Sequence, residues 1–274
     1  MLKQRIITAV ILLVGFLAAL LALPDIGWSL LSVAIVAVGA SEWARLSSMD
    51  KPQTNRYLAL TLIFMLALAA LHNFATPDVQ LIPFLLVYIA AAVFWILAVP
   101  AWMISGWKPG SPHLLGLTGW LVLLPTGLAI MELRAISPWL LLGLMALVWV
   151  ADSAAYFAGR RFGKNKLAPA ISPGKTWEGV AGALLAVGVY VFIVAYATGL
   201  NKQYLVFPPG VMAAWWWVGL SIIGDLFESM IKRQAGVKDS GTILPGHGGL
   251  LDRIDALTPT LPLAALVLLL QRLE

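Results

Sequence analysis

The chain contains no cysteine among its 274 residues. Disulfide bonds, thiolate metal ligands and a cysteine nucleophile are therefore excluded together. Charged residues are also scarce, at 11% of the chain, and only three histidines are present. Because soluble domains carry about 25% charged residues, this shortage excludes an ordinary soluble protein.

Long apolar runs take the place of the missing charge. Hydrophobic residues make up 61% of the chain, and the mean hydropathy is +0.90. The runs repeatedly reach the roughly 20 residues that a helix needs to cross a bilayer, and they lack the alternation of barrel strands. The sequence therefore predicts an all-α fold, a polytopic membrane helix bundle with about nine transmembrane helices.

Nine apolar runs are candidate spans. They lie at residues 5–23, 27–46, 57–75, 79–104, 113–134, 137–159, 178–199, 210–233 and 256–271. The fourth contains Pro83 and Pro100, and the last is short and begins near Pro259 and Pro262, so these two are the least regular. The basic start of the first run resembles a secretory signal, but its length and the spans that follow favour a retained helix.

Lysine and arginine divide unequally between the two sides that nine spans define. Fifteen lie on the side of the N-terminus, and only Arg134, Lys202 and Arg272 lie on the other. The positive-inside rule therefore predicts a cytoplasmic N-terminus, and an odd number of spans places the C-terminus outside. The net charge of +5 reflects this topology, so we expect no nucleic-acid partner.

Charge is concentrated in one stretch, residues 224–255. Nine charged side chains lie within it, although an isolated charge near the hydrocarbon core costs several kcal/mol. Because residues 1–136 carry no comparable motif, we divide the chain into an N-terminal transmembrane scaffold and a C-terminal transmembrane catalytic region, residues 137–274. We interpret the charged stretch as a cytoplasm-facing, metal-dependent site for a phosphorylated substrate.

The eighth span carries a polar stripe. Ser221, Asp225, Ser229 and then Lys232 or Arg233 follow one another at spacings of three or four residues, which places them on one helical face. Such a stripe should face the interior of the bundle or a water-filled cavity. A buried aspartate that pairs with a lysine solely to hold helices together is the structural alternative.

A glycine-rich turn follows this helix and leads to two more carboxylates. Residues 245–249 read Pro-Gly-His-Gly-Gly, and glycine permits close backbone approach to a ligand. Asp252 and Asp255 are three residues apart, so one helical turn would aim both the same way. Carboxylate and hydroxyl oxygens are hard ligands suited to Mg²⁺. The basic side chains available to neutralise phosphate charge are Lys232, Arg233, Lys238 and Arg253.

A second polar segment precedes this region. Asp152 interrupts the sixth span, with Tyr156 one turn later, and residues 172–178 read Ser-Pro-Gly-Lys-Thr-Trp-Glu. Small, hydroxyl and basic residues just before a helix can present N–H groups and a lysine to phosphate. The segment lacks the glycine spacing of a P-loop. The intervening basic run, residues 160–166, could contribute to phosphate binding, or equally could only set topology or bind anionic lipid.

At these residues the chain resembles the phosphatidate cytidylyltransferases, also called CDP-diacylglycerol synthases. The positions that match the family signature are Ser229, Lys232, Arg233, Lys238, Asp239, residues 245–249, Asp252, Arg253 and Asp255. The upstream segments around Asp152 and Lys175 also resemble the family, although Gly174 stands where a second basic residue is often found. The resemblance covers residues 150–255 by motif and the remainder by its multi-span layout.

This resemblance implies that the enzyme joins CTP to phosphatidic acid, with Mg²⁺ as cofactor, in the bacterial inner membrane. The bilayer would be a further partner, and a homodimer is compatible with the sequence. The implied catalytic side chains are Asp225, Lys232, Arg233, Asp252 and Lys175. The implied substrate-binding residues are Asp152, Ser172, Thr176, Glu178, Lys238, His247, Gly248, Gly249 and Arg253. The implied metal ligands are Asp225, Ser229, Asp252 and Asp255.

The expected reaction is in-line attack of a phosphatidate oxygen on the α-phosphorus of CTP, with release of pyrophosphate. Two alternatives stay open at the level of the sequence. A CTP-dependent lipid kinase, or a synthase that activates another lipid phosphate, would use similar membrane placement and phosphate chemistry. A transporter would use the intramembrane charges to bind an ion.

Overall fold

The computed structural model describes residues 2–199, 206–243 and 248–273 of the chain. Helices dominate these residues. The α-helices are α1 (Leu2–Ala22), α2 (Asp25–Leu46), α3 (Lys51–Phe74), α4 (Pro77–Val93), α5 (Val99–Ser105), α6 (Pro112–Ile136), α7 (Pro138–Phe162), α8 (Trp177–Thr198), α9 (Val211–Gln234), α10 (Leu251–Ile254) and α11 (Leu257–Gln271). Two short strands, β1 (Lys166–Ala168) and β2 (Ser172–Thr176), form an antiparallel hairpin between α7 and α8.

The predicted membrane fold is confirmed, because seven helical segments within the described residues are long and apolar enough to cross a bilayer. They correspond to the second through eighth expected spans. The first expected span corresponds to α1, and the ninth corresponds to a shorter apolar helix, Leu257–Gln271. A helix of 15 residues is only about 22 Å long, whereas the hydrocarbon core measures about 30 Å. A total of nine spans therefore stays a prediction.

The fourth span continues through Pro100 by widening one turn. Proline has no N–H to donate, and its ring clashes with the carbonyl four residues before it. A π-helical turn, Phe94–Ala98, immediately precedes α5 and so takes up this irregularity. Phe94 and Trp95 on this turn are buried, and each places its ring 5.6 Å from that of Phe227 on α9. The irregular turn thereby supports the helix that carries the polar stripe.

Gly224 allows α9 to pass close to the segment that joins α10 and α11. A Cβ atom at this position would lie 2.5 Å from the carbonyl oxygen of Asp255 and 2.8 Å from Cδ of Pro259. Any larger residue would separate the two backbones. The close crossing brings Asp225, the next residue on α9, to the same end of the bundle as Asp252 and Asp255.

Two apolar cores hold the bundle together. The larger joins α2, α3, α4 and α6 to α9 and α11, so it includes residues on both sides of the expected boundary at residue 136. The smaller lies between α7, α8 and α9, where mostly small side chains meet. It consists of Leu147, Ala151, Ala183, Val187, Ala214 and Val218. The division into scaffold and catalytic region stays a prediction.

Polar pairs also join helices at the end of the bundle where α2 begins. Arg134 of α6 lies 2.5 Å from Asp25 of α2, and His72 of α3 lies 2.7 Å from Glu132 of α6. This end is separated from the C-terminal end of α2 by the length of that helix, 22 residues or about 33 Å.

Candidate active site

The polar residues of α7, α9, α10 and the hairpin line one cavity of about 580 Å³. Its deeper wall is formed by Ala151, Ala183 and Val218, which belong to the smaller apolar core. The charged side chains along it come from segments far apart in the sequence. They are Asp152, Arg160, Lys166, Lys175, Asp225, Asp252 and Asp255. The cavity thus has an apolar side within the helices and a strongly charged side.

The hairpin and the start of α8 form a rigid support for Lys175. Thr176 is the N-cap of α8, and its hydroxyl accepts a hydrogen bond of 3.1 Å from the N–H of Gly179. Glu178 accepts from the side-chain amide of Asn165 at 2.8 Å and also from its backbone N–H. Thr176 and Glu178, which are both predicted to bind substrate, therefore have intramolecular partners. Their contact with substrate stays a prediction.

Lys175 reaches from the hairpin to α9. Its Nζ lies 2.5 Å from Oδ2 of Asp225. Oδ1 of the same carboxylate accepts from the hydroxyl of Ser229, one helical turn further on, at 3.2 Å. The structure therefore joins the two polar segments that the sequence places fifty residues apart, and Ser172, Lys175 and Asp225 line the same cavity.

Lys232 is the centre of a second charged group. Its Nζ donates to Oε2 of Glu228 at 2.7 Å and to Oδ1 of Asp252 at 2.6 Å. Lys232 and Glu228 are buried. Glu228 is not among the predicted site residues, although its position four residues before Lys232 is the signal for such a pair. One amine here compensates two carboxylates.

Asp252 accepts several hydrogen bonds besides that of Lys232. Oδ2 accepts from the N–H and the hydroxyl of Ser240, at 2.9 and 3.0 Å, and from the N–H of Gly249 at 2.8 Å. Burial by itself raises the pKa of Asp252, but the hydrogen bonds from Lys232, Gly249 and Ser240 outweigh it, so the pKa lies below its ordinary value. The turn therefore holds Asp252 ionised and in a fixed orientation.

Gly248 makes this arrangement sterically possible. Its φ is +81°, and a Cβ atom here would lie 2.6 Å from Oδ2 of Asp252. The glycine is needed for both backbone conformation and space. Gly248 and Gly249 thus act on Asp252 directly, whereas their contact with substrate stays a prediction.

Asp255 has a different environment from Asp252. Burial raises its pKa well above the ordinary value, and the negative charges of Asp225 and Glu228 raise it further. The only hydrogen bond to its carboxylate among those described comes to Oδ1 from the N–H of Ala256, at 2.8 Å. The carboxylates of the site therefore repel one another, which favours a bound positive charge.

Glu42 contributes to the site from α2, in the part of the chain where the sequence shows no motif. Its side chain is fully buried, and its two oxygens accept from the N–H groups of Leu250 and Leu251 and the hydroxyl of Ser240, each at 2.9 Å. The sequence separation is about 200 residues, so local spacing carries no signal for this contact.

Several predicted residues do not line the cavity. Arg233, Lys238 and Arg253 are exposed, and Arg233 donates to the carbonyl of Val237 at 3.3 Å. The polar stripe could end with either Lys232 or Arg233. In the structure Lys232 is the one that is buried, and Arg233 is exposed. Phosphate contacts by the other three stay predictions. His247 lies outside the described residues.

Magnesium is chemically suited to the oxygen donors of this site. Asp225, Asp252 and Asp255 line one cavity, and Ser229 is hydrogen-bonded to the first of them. Among the described residues, no three acidic or histidine side chains converge as a ready metal-binding group. Lysines engage both Asp225 and Asp252. The donor set therefore fits the ion in kind, and an ion would compete with Lys175 and Lys232 for their carboxylates.

Comparison with known proteins gives matches over nearly the whole chain. Residues 3–271 match a family described as the cytidylyltransferase family. A protein of Pseudomonas aeruginosa named phosphatidate cytidylyltransferase is 42% identical over 276 residues, which cover 98% of this chain and 97% of that protein. A Haemophilus influenzae protein of the same name is 36% identical over 282 residues, covering 96% of each.

Proposed function

This chain belongs to the cytidylyltransferase family, and from that premise we propose that it converts CTP and phosphatidic acid into CDP-diacylglycerol and pyrophosphate. A phosphate oxygen of phosphatidic acid forms a bond to the α-phosphorus of CTP. The bond from that phosphorus to the bridging oxygen of the β-phosphate breaks, and pyrophosphate leaves with the electron pair. The single observation that carries the proposal is the cavity in which Lys175 and three carboxylates meet beside an apolar wall, with Lys232 paired to one of those carboxylates, Asp252.

The two lysines would provide the positive charge that the reacting phosphates need. Each already lies within 2.7 Å of a carboxylate oxygen: Lys175 pairs with Asp225, and Lys232 pairs with both Glu228 and Asp252. Exchange of a carboxylate oxygen for a phosphate oxygen requires little movement of the amine. Preorganised charge of this kind stabilises a transition state without a reorganisation cost.

A divalent metal, Mg²⁺, is proposed as the cofactor, held by Asp225, Asp252 and Asp255 with Ser229 as a further oxygen donor. When bound, the ion would neutralise phosphate charge and stabilise the leaving pyrophosphate. The lowered pKa of Asp252 keeps this ligand ionised across the physiological range. The raised pKa of Asp255 means that a nearby cation would favour its ionised form.

No strong general base is required, because a phosphate monoester is already anionic near neutral pH. Positioning of the two substrates is then the main contribution of the protein. Ala151, Ala183 and Val218 give the cavity an apolar side that suits the glycerol and acyl part of a lipid. The charged side suits the phosphates of both substrates, so one cavity can receive a lipid head group and a nucleotide.

The site is proposed to face the cytoplasm of a bacterial cell, where CTP is available. The protein is an integral membrane protein, and its lysine and arginine distribution supports this orientation with the C-terminus outside. The bacterial source of the relatives supports the inner membrane as its location. A homodimer stays a prediction.

Product analysis with labelled CTP tests the proposal. The purified protein should form CDP-diacylglycerol and pyrophosphate only when phosphatidic acid is supplied. Release of CDP with phosphorylation of a lipid would instead identify a kinase. Lys175→Ala should abolish turnover while the protein keeps its detergent-extracted monodispersity, and Lys108→Ala, an exposed lysine outside the cavity, serves as the matched control.

A further inference from the structure

The acidic side chain of Glu42 is enclosed by the turn that carries Asp252. Its exposed fraction is 0%, and it belongs to α2, whereas its hydrogen-bond donors among the described residues are Ser240, Leu250 and Leu251. A buried carboxylate is costly unless it is fully hydrogen-bonded. Two backbone N–H groups, together with a hydroxyl proton that Ser240 shares between Glu42 and Asp252, meet that requirement, so the contact is a specific one.

The donors to Glu42 include the beginning of α10, the short helix that holds Asp252. Oε1 accepts from Leu250, and Oε2 accepts from Leu251 and from the hydroxyl of Ser240. These N–H groups have no partner within so short a helix. Glu42 therefore fixes the N-terminal end of α10 from outside.

Ser240 links Glu42 to Asp252. Its hydroxyl lies 2.9 Å from Oε2 of Glu42 and 3.0 Å from Oδ2 of Asp252. Arg45, one helical turn beyond Glu42, is 3.4 Å from the carbonyl oxygen of Ser240. The two ends of the turn are thus held to α2 next to the carboxylate that pairs with Lys232.

Gly241 and Gly249 lie so close to Glu42 that neither position has room for a Cβ atom. A Cβ atom on Gly241 would meet Oε1 of Glu42 and would lie 2.9 Å from Nη2 of Arg45, and a Cβ atom on Gly249 would meet Oε2 of Glu42. Neither glycine has a positive φ. Close packing, rather than backbone conformation, is therefore what requires glycine at both positions: Glu42 is the nearest obstacle at Gly241, whereas Oγ of Ser240 and then Oε2 of Glu42 are the nearest at Gly249.

We infer that Glu42 is a positioning residue of the active site, one that orients Asp252 by anchoring both ends of its turn to α2. It touches no reacting atom in this arrangement and acts through Ser240 and α10. The kinetic consequence of this inference rests on the proposed function, whereas its effect on the turn does not. The N-terminal helices thereby take part in the site as well as supporting it.

Glu42→Gln is the direct test, because it preserves shape while replacing one oxygen with an amide that cannot accept from an N–H group. A displacement of about 1 Å in a reacting group can lower turnover by about 100-fold. We expect kcat to fall by about that factor, with a much smaller change in the KM for CTP. Hydrogen exchange at the amides of Leu250 and Leu251 should become faster, while exchange in α3 and α6 stays unchanged.

Glu132→Gln is the matched control, since Glu132 is also buried and belongs to an N-terminal helix but lies at the opposite end of the bundle. This change should leave kcat unaltered at temperatures well below unfolding, whatever it does to stability. Unchanged kcat in Glu42→Gln, or a loss that merely follows the unfolded fraction as in Glu132→Gln, would overturn the inference.

Gly241→Ala disturbs the contact between Glu42 and the turn by a change in the turn, so that α2 is unaltered. It should reproduce the loss of kcat and the faster exchange, and it decides the matter if Glu42→Gln does not fold. Gly110→Ala, at a position with no atom within 4 Å of a Cβ, is its control. Absence of any cytidylyl transfer by the unaltered protein would refute the proposed function, while the exchange measurement would still decide the role of Glu42.

Discussion

Lys232 of α9 lies 2.6 Å from Asp252 of α10 and is also 2.7 Å from Glu228, so one buried amine joins the polar stripe to the glycine-rich turn. Removal of one partner from a buried charge group leaves the others uncompensated, and this is more costly than replacing the whole group. Loss of Lys232 alone should therefore disturb both the turn and the stability of the fold.

Lys232→Met should abolish cytidylyl transfer and lower the free energy of unfolding by about 3–5 kcal/mol, the range for a broken buried ion pair. Glu228 and Asp252 would be left close together without a positive partner. Thermal unfolding in detergent measures the stability, and pyrophosphate release measures the activity. Lys108→Met, at an exposed lysine, should change neither. Normal stability in Lys232→Met would show that the pair is not buried in the way described.

Gly248→Ala should reduce kcat by about 100-fold, because its Cβ atom would displace the Asp252 carboxylate and the residue would keep an unfavourable positive φ. Steady-state kinetics with CTP and phosphatidic acid provide the measurement. Gly110→Ala introduces the same methyl group where there is open space, and it should retain full activity. Equal activity of the two variants would contradict the steric argument.

Much of the membrane fold could be predicted because bilayer-crossing helices have a length requirement that apolar runs display directly. The Asp225 stripe and the three-residue spacing of Asp252 and Asp255 were also visible, since helical periodicity relates neighbouring residues. The structure places all three carboxylates on one cavity. Local spacing was therefore sufficient wherever the interacting residues lay within a few turns of one another.

The contact of Glu42 with the turn could not be predicted in the same way. It depends on how α2 packs against α9 and α10, and nothing in the local pattern around Glu42 distinguishes it from an interfacial charge. Whether Lys232 or Arg233 faces the interior likewise depends on the rotation of α9 about its axis. Helical periodicity does not distinguish between these two adjacent positions. Tertiary packing decides both cases.

Asp225→Asn should abolish activity with little loss of stability. The Lys175 pair is partly exposed, and such pairs contribute only about 0–1 kcal/mol. The variant should also lose the Mg²⁺ dependence of nucleotide binding, which equilibrium binding of CTP at several Mg²⁺ concentrations would measure. Asp78→Asn, at an exposed aspartate at the start of α4, is the control. Full activity of Asp225→Asn in the presence of a chelator would contradict the metal assignment.

Asp255→Asn should raise the thermal unfolding midpoint while abolishing turnover. The pKa of Asp255 in the folded protein lies well above its unfolded value, so its negative charge opposes folding at neutral pH. Asparagine removes that charge. The stabilisation should be largest above the folded pKa and should disappear as the pH falls to the unfolded pKa, where the carboxyl is protonated in both states. Unfolding scans of both proteins across this range, with chelator present, provide the measurement. A lower midpoint for the variant at neutral pH would show that Asp255 contributes to stability as an ionised group.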